Sequence, residues 1–98
     1  MTRSNDPLDV RFVRQQAALS ATIGNEIVVF DTVTNRYHGM NEVATAIWEM
    51  LAEPISARAI VQRLLDVYAV DREACARSVQ DFLRDLERDG LVAVVRET

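Results

Sequence analysis

The hydrophobic period of this sequence changes once, at Asn41, and that change limits the folds open to the chain. Before Asn41 the apolar residues fall in short, partly alternating runs, whereas after it they recur every three or four residues. Strands grouped ahead of helices predict an α+β domain rather than repeated strand–helix units. With 98 residues, the chain has room for a single core.

Three short strands are predicted in the first part of the chain. Ala18–Ile23 and Glu26–Asp31 flank the turn-forming pair Gly24-Asn25, which indicates a hairpin. The next loop ends at Asn35, a residue that tolerates the left-handed conformation, and leads to a strand over Arg36–Met40. The three strands together predict an antiparallel meander.

Three helices and a closing strand are predicted in the second part. Asn41, Ser56 and Asp71 stand at N-cap positions ahead of amphipathic stretches, and Gly90 ends the third helix. Leu91–Val95 is then a short apolar strand. This order is typical of a winged-helix-like α+β domain. We therefore divide the chain into an arm over residues 1–17, flexible or weakly extended, and a domain over residues 18–98.

Charge and hydropathy exclude several classes of protein. The net charge is −4, and the third helix with its flanks, Asp71–Asp89, carries four arginines against six carboxylates. A DNA-reading helix needs a positive face, so nucleic acid is not an expected partner. The longest apolar run has five residues and the amino terminus lacks a signal-peptide pattern, so we expect a cytoplasmic protein with no membrane partner.

The sequence offers little for catalysis or for a cofactor. It has one cysteine, Cys75, and one histidine, His38, which exclude a zinc site built from several such ligands. Cys75 lies on the predicted apolar face of the third helix, where a buried structural thiol is the commoner role. We interpret Gly24, Gly39 and Gly90 as turn or cap residues, so no phosphate-binding loop is expected. The sequence predicts no enzyme and no cofactor.

The third strand of the meander is the candidate binding edge. Thr34–His38 would lie at the border of the sheet and present unpaired backbone groups to an incoming peptide strand. The alternative is that Leu91–Val95 covers this edge, and the sequence leaves both arrangements open.

Two stretches resemble the PqqD-like proteins. Asp31, Tyr37 and the pair Asn41-Glu42, followed by Ile47-Trp48, have the spacing of that family's signature, with Met40 in place of the usual Leu and Asn35 where Gly is common. The second stretch shares its spacing with the family's ending and comprises Tyr68, Val70-Asp71, Val79, Phe82-Leu83, Leu86 and Gly90-Leu91-Val92.

The resemblance implies a function in peptide recognition. Members of the family are RiPP recognition elements, which hold the leader of a ribosomally synthesised precursor peptide for modifying enzymes. A chain of this length is similar to the discrete leader-binding proteins of lasso-peptide pathways, which work with a leader peptidase and a cyclase. The alternatives are a peptide chaperone of pyrroloquinoline-quinone (PQQ) synthesis and, with less support from the sequence, a DNA-binding winged-helix regulator.

The resemblance also implies where the leader lies: along the third strand, in the groove against helix three. We expect one flank of that helix to line the groove, because small Ala74 and Ser78 leave room and Phe82 could floor a pocket for an apolar anchor. The opposite flank remains an alternative. Tyr37 is either a groove wall or a cross-strand core contact, and Trp48 is expected to be partly exposed. The predicted peptide-binding residues are Thr34, Asn35, Arg36, Tyr37, His38, Ala74, Ser78, Asp81, Phe82 and Asp85.

Overall fold

A computed structural model describes residues 7–15, 18–24, 26–31 and 35–95. It consists of two small antiparallel sheets and three helices, which confirms the predicted α+β class. The elements are a 3-10 turn over Pro7–Asp9, β1 (Arg11–Arg14), β2 (Ala18–Ile23), β3 (Glu26–Asp31), β4 (Arg36–Met40), α1 (Glu42–Met50), β5 (Ile55–Ser56), α2 (Ala57–Val67), α3 (Arg72–Arg88) and β6 (Val92–Val95).

The predicted meander is the sheet of β2, β3 and β4. Ile23 pairs with Glu26 across the hairpin turn, and Asp31 pairs with Arg36 where the chain returns into β4. Asn35 has a φ of 64°, in the left-handed region that its short polar side chain tolerates. Alternation places Val29 and Met40 in the core.

The second sheet, in the order β5-β1-β6, joins distant parts of the chain. β1 pairs with the closing strand β6, Phe12 lying opposite Val94, and with the short strand β5, Phe12 lying opposite Ile55. Sequence reasoning assigned residues 11–14 to an arm, and the structure makes them the centre of this sheet. The period of the hydrophobic residues does not reveal such a pairing, because the pairing depends on residues about 80 positions away.

Local side chains set the helix boundaries as predicted. Asn41, Ser56 and Asp71 each accept a hydrogen bond from the backbone N–H three residues on, which satisfies an amide that has no partner within the helix. At the end of α3, Gly90 has a φ of 78°, and the Leu91 amide donates to the Leu86 carbonyl at 2.9 Å. This Schellman turn directs the chain into β6.

Trp48 differs from its prediction. The side chain is 2% exposed and belongs to the core, although it lies off the main apolar stripe of α1. The Arg14 guanidinium of β1 stacks 5.3 Å from the ring centroid, and the Arg14 amide donates to the Leu51 carbonyl at 2.9 Å. The β1 segment therefore lies beside a second side of α1 that the helical period did not mark as buried.

Gly39 also differs from its prediction. It is neither a turn nor a cap residue: it lies within β4, opposite Val28, in an uninterrupted ladder. Its φ is not in the left-handed region, which among the described glycines is occupied by Gly24 and Gly90.

Candidate functional site

β4 lies at one border of its sheet in the part of the chain that the structure describes. β3 is its neighbour on one side, and β6 pairs with β1 in the other sheet. The alternative in which the closing strand covers the meander is therefore not the arrangement observed. β4 keeps one side available to an additional strand.

One contact fixes which backbone groups of β4 face this border. The Ile27 amide donates to Thr45 Oγ1 at 3.2 Å, and that hydroxyl lies 3.2 Å from the Met40 carbonyl, to which it donates. Ile27 is the register partner of Met40, so its N–H points toward the β4 side of β3.

The N–H and C=O groups of successive residues alternate in direction along a strand, so the direction of these groups in the other β4 residues follows. Arg36 and His38 are an even number of positions from Met40, so their backbone groups also point toward β3. Tyr37 and Gly39 direct theirs to the open side. The backbone N–H and C=O groups of Tyr37 and Gly39 are called the β4 edge below.

An apolar cavity of about 350 Å³ lies between α1 and α3. Val43, Ala44 and Ile47 line it from α1, and Tyr68 and Val70 line it from the α2–α3 connection. The residues from α3 are Ala74, Cys75, Ser78, Val79 and Phe82. Because its lining is mostly apolar, the cavity can accept an apolar side chain.

A second, charged cavity of about 340 Å³ lies between β4 and the last turns of α3. Four of its polar side chains form two pairs: Arg88 Nη2 is 2.9 Å from Asp85 Oδ1, and His38 Nε2 is 3.6 Å from Asp89 Oδ2. The Phe82 ring lines this cavity as well as the apolar one. Phe82 therefore lies between the two cavities, which adjoin along α3 and are together called the groove below.

His38 stands at the wall of the groove with an incomplete set of contacts. Its Nε2 is shielded from solvent and has no hydrogen-bond partner among the described residues, since 3.6 Å to the Asp89 carboxylate is too long for one. Its neighbours on β4, Tyr37 and Gly39, lie on the opposite face of the sheet.

Cys75 has the surroundings of an unreactive thiol. Burial raises the pKa of the Cys75 thiol, and the nearby Arg72 lowers it by less. A thiol in this state is a poor nucleophile at neutral pH. No group of three or more His, Cys, Asp or Glu residues that could hold a metal ion occurs within the described ranges.

The structure brings five of the ten predicted site residues to the groove. His38, Ala74, Ser78, Phe82 and Asp85 line it. Tyr37 is 74% exposed on the outer face of the sheet and packs against its cross-strand neighbour Phe30, with 4.7 Å between the centroids of the two tilted rings. It is therefore a cross-strand contact outside the core and not a groove wall.

The other predicted residues have different surroundings. Asp81 is exposed, pairs with Arg84 at 3.3 Å and lines neither cavity. Asn35 and Arg36 precede or begin β4, and Thr34 is outside the described residues. Sequence reasoning missed Val43, Tyr68 and Asp89, because the contacts that bring these three residues to the groove join different elements.

The sheet edge and the adjoining groove define a class of small winged-helix-like domains suited to peptide binding. Residues 26–92 match the family model described as coenzyme PQQ synthesis protein D (PqqD). The chain belongs to the PqqD family, as the resemblance predicted. A comparison with curated proteins gives no match.

Two solved structures are similar to this chain. TbiB1, in complex with the TbiA(beta) leader peptide, is 32% identical with a TM-score of 0.77, over 87% of this chain and 99% of TbiB1. A lasso peptide synthetase B1, complexed with the leader peptide, is 22% identical with a TM-score of 0.73, over 84% of this chain and 96% of that one. The second similarity concerns the fold alone. No helix of the described residues is long and apolar enough to cross a membrane.

Proposed function

We propose that this protein is a RiPP recognition element that binds the leader of a ribosomally synthesised precursor peptide. The observation that carries the proposal is the similarity to TbiB1 over nearly the whole length of that protein, which is bound to a leader peptide. A strand edge that is unpaired among the described residues, beside a groove with a charged and an apolar cavity, supports the same function in physical terms.

The leader adds to β4 as a fourth strand. Its backbone pairs with the β4 edge, and alternate side chains turn toward the helices. The leader residue beside His38 enters the charged cavity, and an apolar residue further along inserts between α1 and α3 near Phe82. Main-chain hydrogen bonds supply affinity, and the two cavities select the sequence.

The protein acts as an adaptor in a lasso-peptide pathway. It presents the precursor to a leader peptidase and a cyclase, which carry out the chemistry, while this chain remains non-catalytic and cytoplasmic. The unreactive surroundings of Cys75 support a role without a thiol nucleophile. The match to the PqqD model favours a second candidate, a peptide chaperone in PQQ synthesis, which uses the same edge.

Fluorescence anisotropy tests leader binding with the leader and core segments of a precursor peptide identified among the neighbouring genes. We expect micromolar or tighter binding of the leader, about −8 kcal/mol, and no comparable binding of the core. Equal, weak binding of both segments would contradict the proposal.

A pair of arginine substitutions tests the groove. Ser78→Arg places a charged side chain in the apolar cavity and should weaken leader binding at least tenfold. Gln62→Arg adds the same charge on an exposed position of α2 and should leave binding unchanged. Equal affinities of the two variants would place the leader outside this groove.

Cys75→Ala tests the absence of catalysis. The variant should still support processing of the precursor by the peptidase and cyclase, followed by mass spectrometry. A folded variant that still binds the leader as tightly as the wild type but has lost all processing would favour a catalytic role for Cys75.

A further inference from the structure

The fold itself gives no reason for a glycine at position 39. Its φ is outside the left-handed region, the pairing of β4 with β3 is regular on both sides of it, and a Cβ built on it meets nothing within 4 Å. Glycine inside a strand lowers stability relative to a residue with a side chain. Such a glycine often marks a position that another chain approaches closely.

The open space beside Gly39 has an aromatic wall. Tyr37 is two residues away on the same face, 74% exposed, and its ring packs at a tilt against Phe30 of β3. Val28 lies directly opposite Gly39. The space is therefore bounded by apolar groups and opens toward the free border of the sheet.

The outer face of the sheet continues this apolar character on β2. Ala21 and Ile23 are exposed on it, Ile23 to 67%, and Ala21 lies in the same row as Val28 and Gly39. Ser20, the register partner of the buried Val29, lies on the opposite face. Ala21 and Ile23 thus point away from the helices, whereas the apolar residues of a sheet with one covered face usually point toward the covering layer.

We infer that the leader strand places an aromatic side chain across Gly39, on the outer face of the sheet and against Tyr37. The inference rests on the proposed function. Residues directly opposite each other on neighbouring strands share a face, so the leader residue beside Gly39 lies on the outer face whichever way the leader runs. An aromatic side chain there covers the glycine of the adjacent strand and reaches the Tyr37 ring diagonally.

The geometry gives the leader a pattern. The residues beside Tyr37 and Gly39 face outward, and those beside His38 and Met40 face the groove. The outer aromatic residue is therefore separated by an odd number of positions from every residue that enters the groove. The protein thus recognises side chains on both faces of the bound strand. The cavities of the groove select those on one face, and the open space at Gly39 selects the residue on the other.

Selection from a displayed library of random dodecapeptides tests this pattern. The wild-type protein should enrich peptides with an aromatic residue at an odd spacing from an apolar groove residue. Gly39→Val fills the open space and should abolish the aromatic preference while the groove preference stays. Ala21→Val adds the same side chain in the same row two strands away, and its selected peptides should match those of the wild type.

Affinities of one selected peptide complete the test. Replacing its aromatic residue by Ala should weaken binding to the wild type about three- to tenfold and change binding to Gly39→Val less than twofold. For Gly39→Ala, which adds a smaller side chain, the loss of affinity should lie between that of the wild type and that of Gly39→Val. Melting temperatures of both variants should equal or exceed that of the wild type, because the added atoms meet open space.

The outcomes separate the two proposals. Enrichment of groove residues alone, with the same peptides selected by the wild type and Gly39→Val, overturns the inference and leaves leader binding intact. Failure of the wild type to enrich any strand-forming peptide contradicts leader binding by strand addition, and the inference with it. A lower melting temperature of Gly39→Ala would mean that the space is needed by the fold and would also overturn the inference.

Discussion

His38 of β4 and Asp89 at the C-cap of α3 face each other across the groove, with 3.6 Å between Nε2 and Oδ2. Both side chains are about one-fifth exposed. The pair spans the charged cavity and links the strand that carries the β4 edge to the helix that forms the opposite wall.

Removal of Asp89 should weaken this link. Asp89→Ala removes the carboxylate nearest to the shielded Nε2 of His38, a polar contact longer than a hydrogen bond, so we expect the free energy of unfolding to fall by at most about 1 kcal/mol in urea denaturation. Asp81→Ala is the matched control, because it breaks an exposed pair with Arg84 and should cost close to nothing. Equal losses in the two variants would show that the His38 contact adds no stability.

Proline substitutions should distinguish the two sides of β4. Tyr37→Pro removes an N–H of the β4 edge, so the variant should fold and bind the leader about 1–3 kcal/mol more weakly. Arg36→Pro removes an N–H that faces β3 and should disrupt the meander. Circular dichroism and anisotropy report the two effects, and Tyr37→Ala corrects for loss of the ring. A folded Tyr37→Pro protein that binds as tightly as Tyr37→Ala would rule out strand addition.

Alkylation of Cys75 should report on the apolar cavity. Because burial raises the pKa of the thiol, iodoacetamide should react more slowly with the folded protein than with the protein in urea at pH 8. The raised pKa contributes stability below the thiol pKa of the unfolded chain, and this contribution is lost as the pH rises through the higher folded-state pKa.

Bound leader should slow the alkylation further, because its apolar anchor enters the cavity that Cys75 lines. Since the chain has a single cysteine, mass spectrometry of the intact protein measures the rate directly. An unchanged rate at saturating leader would mean that the α1–α3 cavity stays empty in the complex.

Duplex DNA should not bind. The acidic balance of α3 and its flanks opposes the counterion release that drives non-specific association. Gel-shift assays at low salt should show no complex at micromolar protein. A salt-sensitive complex at lower concentration would favour a regulator over an adaptor.

Features decided by neighbouring residues could be predicted from the sequence. The caps at Asn41, Ser56 and Asp71 and the left-handed Asn35 depend on side chains acting within three or four residues. The helical period also places Ala74, Ser78 and Phe82 on one side of α3, and all three line the groove.

Features decided by distant contacts could not be predicted. Trp48 is buried beside β1, whose pairing with β6 spans most of the chain. The exposed position of Tyr37 follows from the register of β4 on β3, because a shift of one residue would exchange it with His38. Gly39 resembles a turn residue in the sequence, and its regular surroundings become visible only once the strands are paired.

The pairing of β1 with β6 brings the two ends of the domain together. Arg11 and Val95 are register partners, so the chain enters and leaves the second sheet at neighbouring points. A short linker could therefore join these two points and new ends could be opened at the hairpin between Ile23 and Glu26, as in a circular permutation. For the same reason the domain could be inserted into a surface loop of a larger enzyme, with both connections on one sheet and the β4 edge on the other.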